Sequence, residues 1–201
     1  MSRVRKPAVA GSFYPNDPDE LRGLVEAYLR AATPPADLPA RPKALIVPHA
    51  GYVYSGPVAA TAYAALRGAA EEVRRVVLLG PSHRVVLRGL ATSSADRFAT
   101  PLGDVPVDRE AVELALGLTQ VHALDAAHRA EHSLEVHLPF LQVVLGEFRL
   151  VPFSVGDATP EEVAEVLTLL WGDAETLVVI STDLSHYYDY ETALRLDAAT
   201  T

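Results

Sequence analysis

Lys43-Ala44-Leu45-Ile46-Val47, ended by Pro48, and Arg75-Val76-Val77-Leu78-Leu79, ended by Gly80-Pro81, bracket a glycine-containing turn and an Ala-rich stretch from about Pro57 to Leu66. Short unbroken apolar runs bounded by turn formers read as strands buried on both faces of a sheet, and the Ala-rich stretch as the helix that crosses between them. The segment is therefore a βαβ unit. Phe148 to Phe153 and Thr176-Leu177-Val178-Val179-Ile180 give two further buried strands. A leucine stripe (Leu134, Leu138, Leu141, Leu145), entered at Pro139, precedes the first of them. A helix opening at Thr159-Pro160-Glu161-Glu162, with Pro in its first turn beside two acids, precedes the second and runs to about Leu170.

Outward from this centre, Pro15-Asn16-Asp17-Pro18 is a turn signal ahead of an apolar-periodic helix reaching about Leu29, and Pro34, Pro35, Pro39 and Pro42 punctuate the connector that follows. Between Leu87 and Pro106 the apolar runs shorten and Gly and Pro recur, which predicts short strands or a hairpin. Asp108 is placed to cap a helix carrying Ala111, Val112, Leu114, Ala115 and Leu118, and Tyr190 to Leu196 opens a last helix. The expectation is one α/β domain over residues 1–201, three layers deep, with a mostly parallel or mixed sheet flanked by helices.

Composition narrows the function. In 201 residues, 49% are hydrophobic and 21% charged, enough for a sizeable core and against disorder. No apolar run approaches the roughly 20 residues of a membrane span. Arg3, Arg5 and Lys6 precede Pro7-Ala8-Val9-Ala10-Gly11, too short and interrupted for a secretory signal, so a cytoplasmic location is expected. The net charge of −9, from 17 Lys plus Arg against 26 Asp plus Glu, opposes a nucleic-acid footprint. With no cysteine, any metal has to be held by His, Asp or Glu.

Three of the seven histidines stand just past the carboxyl ends of the best strands: His49, His83 and His186. That edge is where open α/β sheets bind ligands, so parallel neighbouring strands would converge the three rings on one crevice. Each alone also reads as a turn residue bonded to a loop carbonyl. Around His49, Gly51 and Gly56 allow close backbone approach, and Tyr52, Tyr54 and Ser55 offer hydroxyls. Arg84, after His83, is either a cation for an anionic substrate or a solvated side chain. Asp183, three residues before His186, can orient that ring, share a metal with it or simply cap a helix. Glu131-His132-Ser133-Leu134-Glu135-Val136-His137, read as a helix, puts His128, His132 and Glu135 on one face. On that reading His128 and His132 belong to a solvated face, while Glu135 and His137 line or buttress the crevice. Hydrolase-elbow, dinucleotide and Walker motifs are absent. An imidazole and carboxylate edge suits iron(II), zinc, copper or manganese, and two His with one carboxylate is the non-heme iron(II) arrangement.

Five segments in order carry a resemblance: Arg5-Lys6-Pro7-Ala8-Val9-Ala10-Gly11-Ser12-Phe13-Tyr14-Pro15, Pro48-His49-Ala50-Gly51-Tyr52-Val53-Tyr54-Ser55-Gly56, Gly80-Pro81-Ser82-His83, Glu131 to Pro139, and Ser181-Thr182-Asp183-Leu184-Ser185-His186-Tyr187. Together they resemble the Memo family, which includes AmmeMemoRadiSam system protein B and is similar in fold to the class III extradiol ring-cleaving dioxygenases. The resemblance implies a divalent metal, iron(II) favoured with copper or zinc as alternatives, held by His49 and His83. It implies His186 as acid/base with Asp183 beside it, and Tyr54, Arg84, Glu135 and His137 toward the substrate. Redox or dioxygenase-like chemistry follows, or alternatively a non-catalytic module binding a phosphopeptide, an anionic metabolite or a protein. It further implies a link to a radical SAM protein, while the lack of a long apolar run leaves no membrane partner expected. Proteins of this resemblance continue beyond a point equivalent to Thr201, so the third metal ligand is expected outside this chain, with Asp183 or His186 improvising.

Overall fold

The computed structural model describes residues 3–36, 38 and 41–200; Pro39 of the proline connector lies outside them. In chain order the elements are β1 (Val4–Arg5), α1 (Pro18–Ala31), β2 (Ala44–Val47), α2 (Tyr52–Ala64), β3 (Arg75–Pro81), β4 (Leu90–Thr92), β5 (Arg97–Thr100), β6 (Gly103–Pro106), α3 (Arg109–Ala115), β7 (Val121–Ala123) and α4 (Asp125–Arg129). A 3₁₀ turn (Glu135–His137), α5 (Leu138–Leu145), β8 (Arg149–Val155), α6 (Pro160–Leu170), β9 (Thr176–Ser181) and α7 (Tyr190–Thr200) complete the chain.

Local chemistry sets the ends of the helices. The Asp17 carboxylate accepts from the backbone N–H groups of Asp19 and Glu20, satisfying donors that the first turn of α1 leaves unpaired. Leu21, Val25 and Leu29 then repeat every four residues, so α1 buries one stripe. Asp108 caps α3 through Ala111 N, as its position implies. At α6, Thr159 and Glu162 form a reciprocal capping box. α2 begins at Tyr52, five residues ahead of the expected start, with Pro57 inside it. The helix starts before the proline because Gly51 ends the preceding loop and the Ser55 hydroxyl donates back to Ala50 O at 2.7 Å.

The main sheet has the order β2-β9-β3-β8-β4-β7. β2, β9, β3 and β8 are all parallel, whereas β4 runs antiparallel to β8, so the sheet is mixed. A second sheet, β1-β5-β6, holds the expected hairpin as β5 and β6. α1, α2 and α5 pack together in one helical layer, and α3 packs on α6 in the other, giving the three-layer α/β arrangement. The central strands β3 and β8 are buried over almost their whole length, as continuous apolar runs require. β2 departs from that reading. Leu45 and Val47 are buried but Ile46 is 66% exposed, because β2 is an edge strand whose second face is open to solvent among the described residues.

Candidate metal centre

β2 and β3 run parallel with β9 between them, so the turns after all three emerge along one edge of the sheet. His49 lies in the turn after β2 and is buried; His83 lies after β3 and stays partly open to solvent. Their ring centroids are 5.2 Å apart. A third imidazole, His132, stacks on His83 at 4.7 Å and sits 5.6 Å from His49. One ring nitrogen from each of the three lies within 4.8 Å of the others. The fold thus brings a third imidazole to His49 and His83 from within this chain, from a segment read as a solvated helix face, and the three together could hold a metal ion.

That misreading has a physical cause. Residues 130–134 are not helical, because the Glu131 carboxylate accepts from the backbone N–H groups of His132 at 2.9 Å and Ser133 at 3.1 Å. Such local side-chain bonds compete with a helix and win here. The resulting turn aims His132 at the sheet edge. His128, placed on the same solvated face, is instead 1% exposed, its Nε2 paired with Ala91 O at 3.0 Å and its ring edge-on to Phe98.

Hydrogen bonds decide which nitrogens keep a lone pair. The Ser181 hydroxyl donates its one proton to Ser133 O at 2.7 Å. It must therefore accept from both imidazoles that touch it, His49 Nδ1 at 2.6 Å and His137 Nε2 at 2.9 Å. His49 is the Nδ1–H tautomer, so its Nε2 lone pair is free. His137 carries its proton on Nε2, and its Nδ1 accepts from the Tyr63 hydroxyl at 2.9 Å. Glu131 does the same for His83, taking a bond from His83 Nδ1 at 2.9 Å and another from His83 N at 2.6 Å. Burial alone would raise the Glu131 pKa; the bonds from the His83 side chain, Ser133 and the His83 backbone outweigh it and hold the carboxyl at about 2. Being ionised it can only accept, so it holds a His83 proton on Nδ1 and leaves Nε2 as the nitrogen not engaged by Glu131.

The donor set fits a divalent cation. Burial lowers the His49 pKa to about 4 against the pull of Asp183, and lowers that of His132 as well. Both rings are neutral near pH 7, the form that ligates metal. His132 Nδ1 is buried without a hydrogen-bond partner among the described residues, although Glu131 Oε1 lies 3.3 Å away. Gly80 lets the strand ends close up beneath the cluster, since a Cβ there would come within 2.9 Å of Ser133 Oγ and 3.1 Å of Ser181 Cβ.

Asp183 stands beside the cluster. Its Oδ1 accepts from His49 N at 2.5 Å and Ala50 N at 3.2 Å, and its Oδ2 lies 3.8 Å from both His49 Nε2 and His186 Nε2. His186 is at the rim, half exposed, with Nδ1–H donating to Leu184 O at 3.0 Å. Leu184 (φ 59°) and Tyr187 (φ 62°), on either side of it, adopt left-handed backbone, costing roughly 1–2 kcal/mol each. Tyr54 is 80% exposed on the first turn of α2, and Arg84 is exposed in the turn after β3. Glu135 and His137 are fully buried behind the cluster. Glu135 grips the amino-terminal segment, accepting from Ala8 N at 2.7 Å, Val9 N at 3.0 Å and the Tyr14 hydroxyl at 2.5 Å, and pairing with Arg5. The reading of the sequence missed Glu131, His132 and Ser181; a carboxylate directly before a histidine in a Glu-His-Ser turn was the available sign.

A mixed α/β sheet carrying three converging imidazoles at its carboxyl edge defines a class of candidate metal-binding α/β proteins. The family model for Memo-like proteins matches residues 5–200. A MEMO1 family protein of Thermotoga sp. (strain RQ2) is 40% identical, the match covering 96% of this chain and 74% of the relative. MEMO1 family proteins of Aquifex aeolicus (40% identical, 97% and 72% covered) and Methanocaldococcus jannaschii (39%, 98% and 75%) are similar to the same extent. This chain belongs to the Memo family.

Proposed function

We propose that His49, His83 and His132 hold a divalent cation, iron(II) first with copper or zinc as the other candidates, and that the site performs redox or dioxygenase-like chemistry on a small oxygen-bearing molecule. The observation that carries this reading is the tautomer arrangement: Ser181 and Glu131 pin the Nδ1 protons of His49 and His83, which leaves their Nε2 lone pairs for one ion. Imidazole donors suit iron, copper and zinc alike, and such a cation supplies Lewis acidity or electron transfer. The residues around it have separate tasks. Asp183 and the half-exposed His186 form an acid and base pair at the rim, so His186 can take a proton from an incoming hydroxyl and return it. Tyr54 and Arg84, exposed on the flanking turns, offer a hydroxyl and a cation to the substrate. Glu135 and His137 act from behind by holding the backbone and Ser181.

A second reading, a module that binds a phosphopeptide, an anionic metabolite or a partner such as a radical SAM protein, is favoured by Arg84, which has no ion pair among the described residues. Metal analysis of anaerobically purified protein reconstituted with iron(II), copper or zinc separates the two. Stoichiometric metal in the wild type and its loss in His49→Ala/His83→Ala and in His132→Ala are expected; equal metal in all three sinks the site. Phosphotyrosine-peptide affinity that survives removal of both histidines supports the second reading.

A further inference from the structure

A cavity of about 460 Å³ lies away from the histidine cluster, between the amino-terminal strand, the loop after β4 and α4. This is the size range of small-molecule sites. Val4, Pro7, Ala95 and Ala126 give it apolar walls, and Arg3, Lys6 and Arg129 bring three cations to it. In a chain of net charge −9, a positive cluster is against the average. None of the three cations has an ion pair among the described residues, whereas the other charges at the cavity are already committed. Arg5 turns inward, donating to His128 O, Glu131 O and Glu135. Asp125, the only carboxylate among the described lining residues, accepts from Ser93 Oγ at 2.8 Å, from Ser94 N at 2.7 Å and from the Ser94 hydroxyl. Nearby, Asp96 accepts from Arg3 N at 2.7 Å, a backbone bond that leaves the Arg3 guanidinium unused.

A larger groove of about 1090 Å³ at the opposite, amino end of the sheet gives the contrast. There Arg75 is tied to Asp108, and Asp104, Glu110 and Glu147 stand among the remaining arginines, so the local field largely cancels. Of the two, the smaller cavity combines apolar walls with an excess of positive charge, three cations without an ion pair among the described residues against the one carboxylate of Asp125.

We propose that this cavity is a binding site for a small organic anion, a carboxylate or phosphate ester carried on an apolar body. The oxyanion sits among Arg3, Lys6 and Arg129, where charge-assisted bonds form, and the body fills the space against Val4, Pro7, Ala95 and Ala126. Phenyl phosphate and phthalate test it as probes, with inorganic phosphate and benzyl alcohol as the separated halves. Titration followed by amide chemical shifts is expected to show saturable binding of at least one whole probe, with shifts confined to residues 3–7, 93–95 and 125–129. Binding by phenyl phosphate alone assigns a phosphate ester, and by phthalate alone a dicarboxylate. Lys6→Ala/Arg129→Ala, both at exposed positions, should weaken that probe by about tenfold or more, while Arg129→Lys keeps most of the affinity and metal loading is unchanged in each. Saturation by neither probe, equal affinity in the double variant, or inorganic phosphate binding as well as the whole probe would overturn the proposal.

Discussion

Ser181 is a small residue with a large role, because one hydroxyl sets the protonation of two rings. Ser181→Ala leaves His49 Nδ1–H and His137 Nε2–H without their acceptor, and His49 is then free to take the other tautomer or to turn. Metal affinity is expected to fall roughly 10–100-fold, as when an outer partner of a ligating histidine is removed; a chelator-competition titration against wild type measures it, and an unchanged affinity refutes the assignment. His49 and His83 were legible in the sequence because each follows an apolar run closed by Pro or Gly-Pro, which fixes both strand end and direction. His132 and Ser181 were not. The first depends on a carboxylate folding its own backbone into a turn, and the second reads as the first residue past a strand until the third dimension brings His49, His137 and Ser133 O around it.

At the scale of elements, the long parts declared themselves through periodicity and caps: α1 through its four-residue stripe, α3 through Asp108, α6 through Thr159 and Pro160. The short parts did not. α4 has 5 residues and β7 has 3, too few to display a period, and β2 is apolar throughout although only alternate side chains are covered. Register between short strands instead rests on backbone fit. Gly89, with φ +72°, leads into β4, and a Cβ there would lie 2.2 Å from Gln120 O. Its N–H and carbonyl are bonded to Asp157 O at 2.8 Å and Gly156 N at 3.0 Å, so the strand cannot shift to make room. Gly89→Ala is expected to cost about 2–4 kcal/mol from strain and clash together; urea denaturation checks this, and a loss below about 0.5 kcal/mol, usual for an open surface position, would show the junction to be pliable.

For the molecule as a whole, the three-layer α/β class was legible because the βαβ grammar is global, whereas the mixed character of the sheet depends on how β4 pairs. No helix of the described residues is long and apolar enough to cross a membrane. Acid sensitivity is a property of the entire fold, since several histidines are buried neutral. Burial lowers His128 to about 4, and burial together with the charge of His49 lowers His137 to about 3. Their folded values lie below the unfolded value near 6.5, so the unfolded chain takes up protons first as pH drops. Stability is expected to be level above about pH 7 and to fall by roughly 1.4 kcal/mol per unit for each such histidine between pH 6.5 and 4. Urea midpoints across that range should fall less steeply in His128→Gln; identical slopes would mean that His128 is protonated in the native state. The histidine cluster has one more consequence at this scale. Its members come from the β2 turn, the β3 turn and the loop before the 3₁₀ helix, and with no cysteine anywhere the chain forms no disulfide. A bound ion would rivet three distant stretches of backbone together in the folded state alone, so loading it would stabilise the fold by mass action as well as arm the site, and the metal would serve this protein as its removable clasp.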